Sequence, residues 1–137
     1  MKNTICGLHL VVELKGCPFS ILNDEQLIRQ AIEQASQQSM STLLNLVSYK
    51  FHPIGVTALG LLAESHISIH TWPEIGYAAV DIFTCGECSN PYKACDFLAK
   101  FLKADKVEVT TLPRGSNVNK GNFHQLTKDY EQCQVAN

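Results

Sequence analysis

Apolar positions along this chain follow two rhythms, one of strands and one of helices. Gly7–Leu14 is apolar apart from His9 and Glu13 and reads as a strand, closed by Lys15, Gly16, Cys17 and Pro18. From Asp24 the rhythm changes. Leu27, Ile28, Ala31, Ile32 and Ala35 recur at helical spacing, and Asp24 stands where it can cap that helix. Thr42–Phe51, with β-branched and aromatic members, reads as a second strand ended by His52-Pro53. Gly55–Ala63 is almost wholly apolar, which suits a central strand, and Tyr77–Thr84 is another, stopped by Cys85-Gly86. Asn90 can cap a helix with Pro91 at its first position, and Ala94, Cys95, Leu98, Phe101 and Leu102 form its apolar stripe. Lys106–Leu112 is a last strand, stopped by Pro113.

Strand, helix, a run of strands, helix, strand: this order predicts an α+β fold, a two-layer sandwich with a mainly antiparallel sheet and both helices on one face. The other face of the sheet then needs cover, most simply from a second copy of the chain, so a dimer is expected. Residues 1–116 read as one domain. Residues 117–137 are polar and read as a peripheral tail.

Composition narrows the class. A chain of 137 residues, 45% apolar and 18% charged, suits a soluble globular domain with a core of its own. The net charge of −2, with scattered Lys and Arg, argues against a nucleic-acid or anionic-membrane surface. No apolar run is long enough to span a bilayer, and the first residues carry no signal-peptide pattern. Cytoplasmic location is therefore expected. The six cysteines (Cys6, Cys17, Cys85, Cys88, Cys95 and Cys133) read as reduced thiols, mostly small core hydrophobes.

Candidate chemistry is concentrated between Glu64 and Glu74, with Ser65, His66 and His70 among them and Cys85 following. Ser65, an imidazole and a carboxylate could be the parts of a hydrolase. Yet no glycine flanks Ser65 as a nucleophile elbow requires, and a polar turn between strands is the simpler account of it. His66 and His70 lie four apart, around an Ile67-Ser68-Ile69 stretch that alternates like a strand and puts both on one side. With Cys85 and Cys88 they could be pictured as a zinc site, although one Cys-x-x-Cys is half the usual pattern. A redox role for that pair is as weakly signalled. Phe51, Trp72 and Tyr77 suit core positions, and Glu74 a solvated loop. Taken together, the serine, two imidazoles and thiol at strand ends are expected to converge on a single edge of the sheet.

Three runs carry a resemblance that goes further. They are Gly7–Leu14, the stretch Phe51-His52-Pro53-Ile54-Gly55-Val56-Thr57, and, most specifically, Ala63 through Gly86. Over about its first 115 residues the chain resembles the pyruvoyl-dependent S-adenosylmethionine decarboxylases of the short prokaryotic type. The resemblance implies a proenzyme that cuts itself between Glu64 and Ser65 into chains of residues 1–64 and 65–137. Ser65 becomes a covalent pyruvoyl group, the ketone that condenses with the substrate amine, and neither a metal nor pyridoxal phosphate is needed. His70 matches the processing base, Cys85 the proton donor, and Thr57 the processing hydroxyl, a place where the family more often has serine. Phe51 matches the residue that stacks on adenine, and Glu74 the carboxylate that binds the ribose. Active sites at a dimer interface and a product that feeds spermidine synthesis are implied as well. The same apparatus in relatives acts on arginine or ornithine, and the cleavage motif does not separate these substrates. The rival of another class is a non-enzymatic metal-binding domain built on Cys85, Cys88, His66 and His70.

Overall fold

The computed structural model describes residues 5–85 and 88–116; the tail read at 117–137, with Cys133, lies outside them. Strands β1 (Gly7–Lys15), β2 (Leu43–Lys50), β3 (Val56–Leu62), β4 (Ser65–Trp72), β5 (Tyr77–Cys85) and β6 (Lys106–Arg114) form one sheet in the order β2-β3-β4-β5-β1-β6. All five strand pairings are antiparallel. Helices α2 (Glu25–Gln38) and α3 (Pro91–Phe101) cover one face and touch each other, as the two-layer reading expects. Both begin at the residues the sequence marks. The Asp24 side chain accepts a hydrogen bond from the Leu27 N–H, and that of Asn90 accepts one from the Tyr92 N–H, so each cap satisfies a donor the helix leaves open.

Two elements depart from the sequence reading. A single-turn helix α1 (Phe19–Leu22) follows Pro18, in a stretch with too few residues to show a period. More importantly, the polar stretch at Ser65 is not itself the turn. Ala63 and Glu64 make the turn, and Ser65 opens a full strand, which makes β3, β4 and β5 a continuous meander.

Alternation along the strands sorts the side chains into two environments. Leu10, Val12 and Leu14 on β1, Ile67 and Ile69 on β4, and Ala78, Val80 and Ile82 on β5 are buried beneath the helices with Ile28, Ile32, Ala35 and Leu98. Among the described residues, the opposite face has no covering layer. It carries His9, His66, Ser68 and Asp81 along its middle, with exposed Val47, Tyr49, Leu59 and Leu61 toward the β2 edge. The core is therefore one-sided.

Gly60 marks the closest approach of sheet and helix. A β-carbon there would lie 2.5 Å from Ile32 Cγ2 and 3.2 Å from Leu43 Cδ1, and the branched Ile32 side chain is too stiff to give way cheaply. Gly60→Ala is expected to lower stability by about 1–3 kcal/mol, the usual cost of overpacking, measured by urea denaturation. Unchanged stability would mean that α2 rides free of β3 at this point.

Candidate active site

The residues singled out by sequence fall at two places on the open side of the sheet. At the first, the β3–β4 turn delivers Glu64 and Ser65 next to the end of β5. Cys85 grips the Glu64 carbonyl twice: its backbone N–H donates over 3.1 Å and its thiol over 2.8 Å. The Glu64 carboxylate accepts from the Thr42 N–H through both oxygens at 3.1 Å, so the turn is tied from both sides. Ser65 has φ +153°, a value L side chains rarely adopt, and its hydroxyl lies 3.2 Å from His66 Nδ1. A cavity of about 250 Å³, lined by Ile5, Cys6, Leu8, Thr84, Cys85 and Ser89, opens beside the thiol.

At the second place Thr57 faces His70 across the β3–β4 pair, with 3.1 Å between Thr57 Oγ1 and His70 Nδ1. These two, with Phe51, Ile54, Trp72 and Glu74, line a cavity of about 330 Å³. Phe51 leaves the end of β2, and Glu74 belongs to the 3₁₀ turn Pro73–Ile75 after β4, so a ring and a carboxylate both line the cavity.

The expectation of a single converging edge is thus corrected. His70 pairs with Ala79 whereas Ser65 pairs with Thr84, so His70 stands five positions along the strand from Ser65. At the rise of an extended strand that is about 16 Å. Neighbours in sequence become opposite ends of the site, because an extended strand advances by its full rise at every residue. The same geometry disposes of the imagined zinc site. Cys85 and His66 lie at one end, His70 at the other, and Cys88 is exposed after β5.

Between the two places runs a network that sequence reasoning missed. Asp81 Oδ2 accepts from the Nε2 of His9 and of His66, each at 2.8 Å, and Ser68 Oγ bonds Asp81 Oδ1. Arg114 reaches His9 Nδ1 over 3.0 Å, with its guanidinium carbon 5.4 Å above the Phe83 ring. Among the described residues, His9, His66 and Asp81 are the one group whose three donor atoms lie within 4.8 Å of one another. The available signal was a charged or imidazole residue set in an apolar strand, His9 between Leu8 and Leu10 and Asp81 between Val80 and Ile82.

With this geometry in view, the comparisons are specific. A family model described as S-adenosylmethionine decarboxylase matches residues 8–115, which include both ends of the site. The chain is 56% identical over 98 residues to the S-adenosylmethionine decarboxylase proenzyme of Synechococcus sp., covering 72% of this chain and 77% of the relative. It is 52% identical over 112 residues to the proenzyme of the same name from Prochlorococcus marinus, covering 82% and 92%. The crystal structure of the adenosylmethionine decarboxylase from Aquifex aeolicus superposes with a TM-score of 0.77 at 38% identity, over 82% of this chain and 92% of that one. The chain belongs to the S-adenosylmethionine decarboxylase family. Its open antiparallel sheet with helices on one face is the family's architecture, and the expected two-layer class stands. No helix among the described residues is long and apolar enough to cross a membrane.

Burial alone would raise the Asp81 pKa, but the hydrogen bonds from Ser68, His66 and His9 outweigh it and hold the carboxyl below its ordinary 3.8. A depressed folded value means that Asp81 contributes its full stabilisation above pH 3.8 and loses it as pH falls through the lower folded value. Carboxyl-carbon NMR titration is expected to give Asp81 a midpoint below 3.8. A midpoint at or above that value would show that burial wins.

Proposed function

We propose that this protein is an S-adenosylmethionine decarboxylase that generates its pyruvoyl group by splitting its own chain between Glu64 and Ser65. The observation that carries the proposal is the double hydrogen bond from Cys85 to the Glu64 carbonyl, immediately before a serine of unusual backbone geometry. If Ser65 Oγ attacks that carbonyl carbon, negative charge develops on an oxygen that two donors already face, the arrangement that stabilises tetrahedral intermediates. Relaxation of the Ser65 φ adds a driving force for the rearrangement.

A pyruvoyl group supplies an electrophilic ketone as an electron sink for loss of carbon dioxide, chemistry that ordinary side chains lack. The residues named for the site fit it. The Cys85 thiol stands beside the peptide that would be cut, where it can deliver one proton. Phe51 offers a ring face for the adenine and its neighbouring sulfonium cation, and Glu74 a carboxylate for the ribose hydroxyls. His70 is the base for the Ser65 Cα proton during processing, and Thr57 the hydroxyl that assists the acyl shift.

Phe51, Thr57, His70 and Glu74 sit too far from Ser65 of their own protomer to serve it. We therefore propose a two-fold dimer in which each protomer lays its Phe51–Glu74 end over the Ser65–Cys85 end of the other. The exposed Val47, Tyr49, Leu59, Leu61 and Trp72 on the uncovered face support such docking. Single-domain organisation over 1–116, a cytoplasmic setting and a role in supplying the aminopropyl donor for spermidine follow from the same reading. Five described cysteines without disulfides accord with a reducing compartment.

Intact mass spectrometry of the wild-type chain is expected to give fragments of residues 1–64 and 65–137, the second with a blocked start. Ser65→Ala should remain whole and inactive, and a single uncut wild-type chain would overturn the reading. Cys85→Ala should still split, since its backbone N–H remains, but lose at least ~100-fold in turnover as a missing acid does. Labelled carbon dioxide should come from S-adenosylmethionine; release only from arginine or ornithine would refute the substrate. Co-expressing Cys85→Ala with Glu74→Ala tests the shared site. Half of randomly paired dimers are mixed and one of their two sites is intact, so about a quarter of wild-type activity should return. No recovery above the single variants would mean that each protomer is complete by itself.

A further inference from the structure

We propose that His66 is the base that takes the Ser65 hydroxyl proton during self-cleavage, with Asp81 holding its ring in the required tautomer. The role rests on cleavage at Glu64–Ser65, and it supplies the group that starts it. The processing residues named so far include none that can do so within one protomer. His70 is about 16 Å away along β4 by strand rise. The Glu64 carboxylate is occupied with the Thr42 N–H, and the Cys85 thiol donates to the Glu64 carbonyl. His66 Nδ1, in contrast, lies 3.2 Å from Ser65 Oγ.

Adjacent strand residues normally point to opposite faces. At Ser65 that alternation is broken by the φ of +153°, and the hydroxyl lies on the side of its neighbour's imidazole. The tautomers follow from the partners. Arg114 can only donate, so His9 Nδ1 accepts and His9 Nε2–H donates to Asp81. Asp81 is held ionised and can only accept, so His66 Nε2 carries the hydrogen in their 2.8 Å bond. His66 Nδ1 is then the bare nitrogen, and it faces the hydroxyl. Serine, imidazole and carboxylate stand in the order that activates a hydroxyl nucleophile elsewhere.

The step balances without any added reactant. The Oγ–H proton passes to His66 Nδ1 as Oγ bonds to the Glu64 carbonyl carbon. The C=O electron pair moves to the oxygen held by the Cys85 N–H and S–H. On collapse the C–N bond breaks, and the Ser65 nitrogen takes that pair and the proton from His66. An ester joins Glu64 to the Ser65 side chain, and His66 is neutral again. A metal ion on His9, His66 and Asp81 is the competing reading of the same cluster. The Arg114 guanidinium beside His9 opposes it by placing a fixed positive charge there.

The test follows splitting of the freshly made full-length chain with time, by denaturing gel and intact mass. His66→Gln keeps an amide donor for Asp81 and offers Ser65 no basic nitrogen. It is expected to slow cleavage by about 100-fold or more, the range for loss of a general base. His66→Asn serves the same comparison if the glutamine variant misfolds. Asp81→Asn should slow cleavage in the wild-type background and add nothing in His66→Gln. A merely structural Asp81 would slow both. If the wild type splits and His66→Gln splits equally fast, the assignment to His66 falls while the self-cleaving reading stands. Cleavage that stops in EDTA and returns with zinc would also overturn it, in favour of the metal site. A wild-type chain that never splits sinks the reading beneath.

Discussion

The Glu64 carbonyl, held by the backbone and thiol of Cys85, is the contact on which the proposed self-cleavage depends. It exists because β5 ends at Cys85 alongside the point where β4 begins, so that the last residue of one strand meets the turn into another. The contact joins three demands. It carries the β4–β5 ladder on into the turn, aims two donors at an oxygen where charge would build, and keeps a thiol beside the residue that follows. A shift of one residue in the β4–β5 register would turn every β4 side chain to the other face and lose all three at once.

The one-sided core explains why the site is divided. Among the described residues helices cover one face only, and the sheet presents polar groups and exposed hydrophobic side chains on the other. Thr57–His70 and Ser65–Cys85 occupy separate stations on that face. A sheet cannot bend to bring them together, but a second sheet laid on it can. In the proposed dimer, assembly and catalysis would depend on the same surface, leaving the buried face to be an ordinary hydrophobic core.

Much of the architecture was legible from short-range chemistry. Asp24 and Asn90 mark helix starts because a cap needs only its own next few residues, and the apolar stripes of α2 and α3 need only helical spacing. The Ser65 stretch was harder. Alternating Ile67, Ser68 and Ile69 announced a strand, but the density of polar residues equally suited a turn, and only pairing with β3 and β5 decides between them. Asp81 and His9 were visible as polar residues in apolar strands, yet nothing local says that they meet. They are 72 positions apart, on strands that neighbour each other only after β1 has inserted between β5 and β6.

By itself, then, the sequence determined most of the element types, the burial of one face and the chemical parts of the candidate site: a serine after a glutamate, a thiol, and imidazoles on one side of a strand. Those properties depend on bond geometry and on side chains a few residues apart. The tertiary structure decided where the parts stand. It separated His70 from Ser65 by the length of a strand, placed Cys85 on the Glu64 carbonyl, and joined His9, His66 and Asp81 through one carboxylate oxygen. Distances of this kind are set by strand order and register, which arise from the packing of the whole chain.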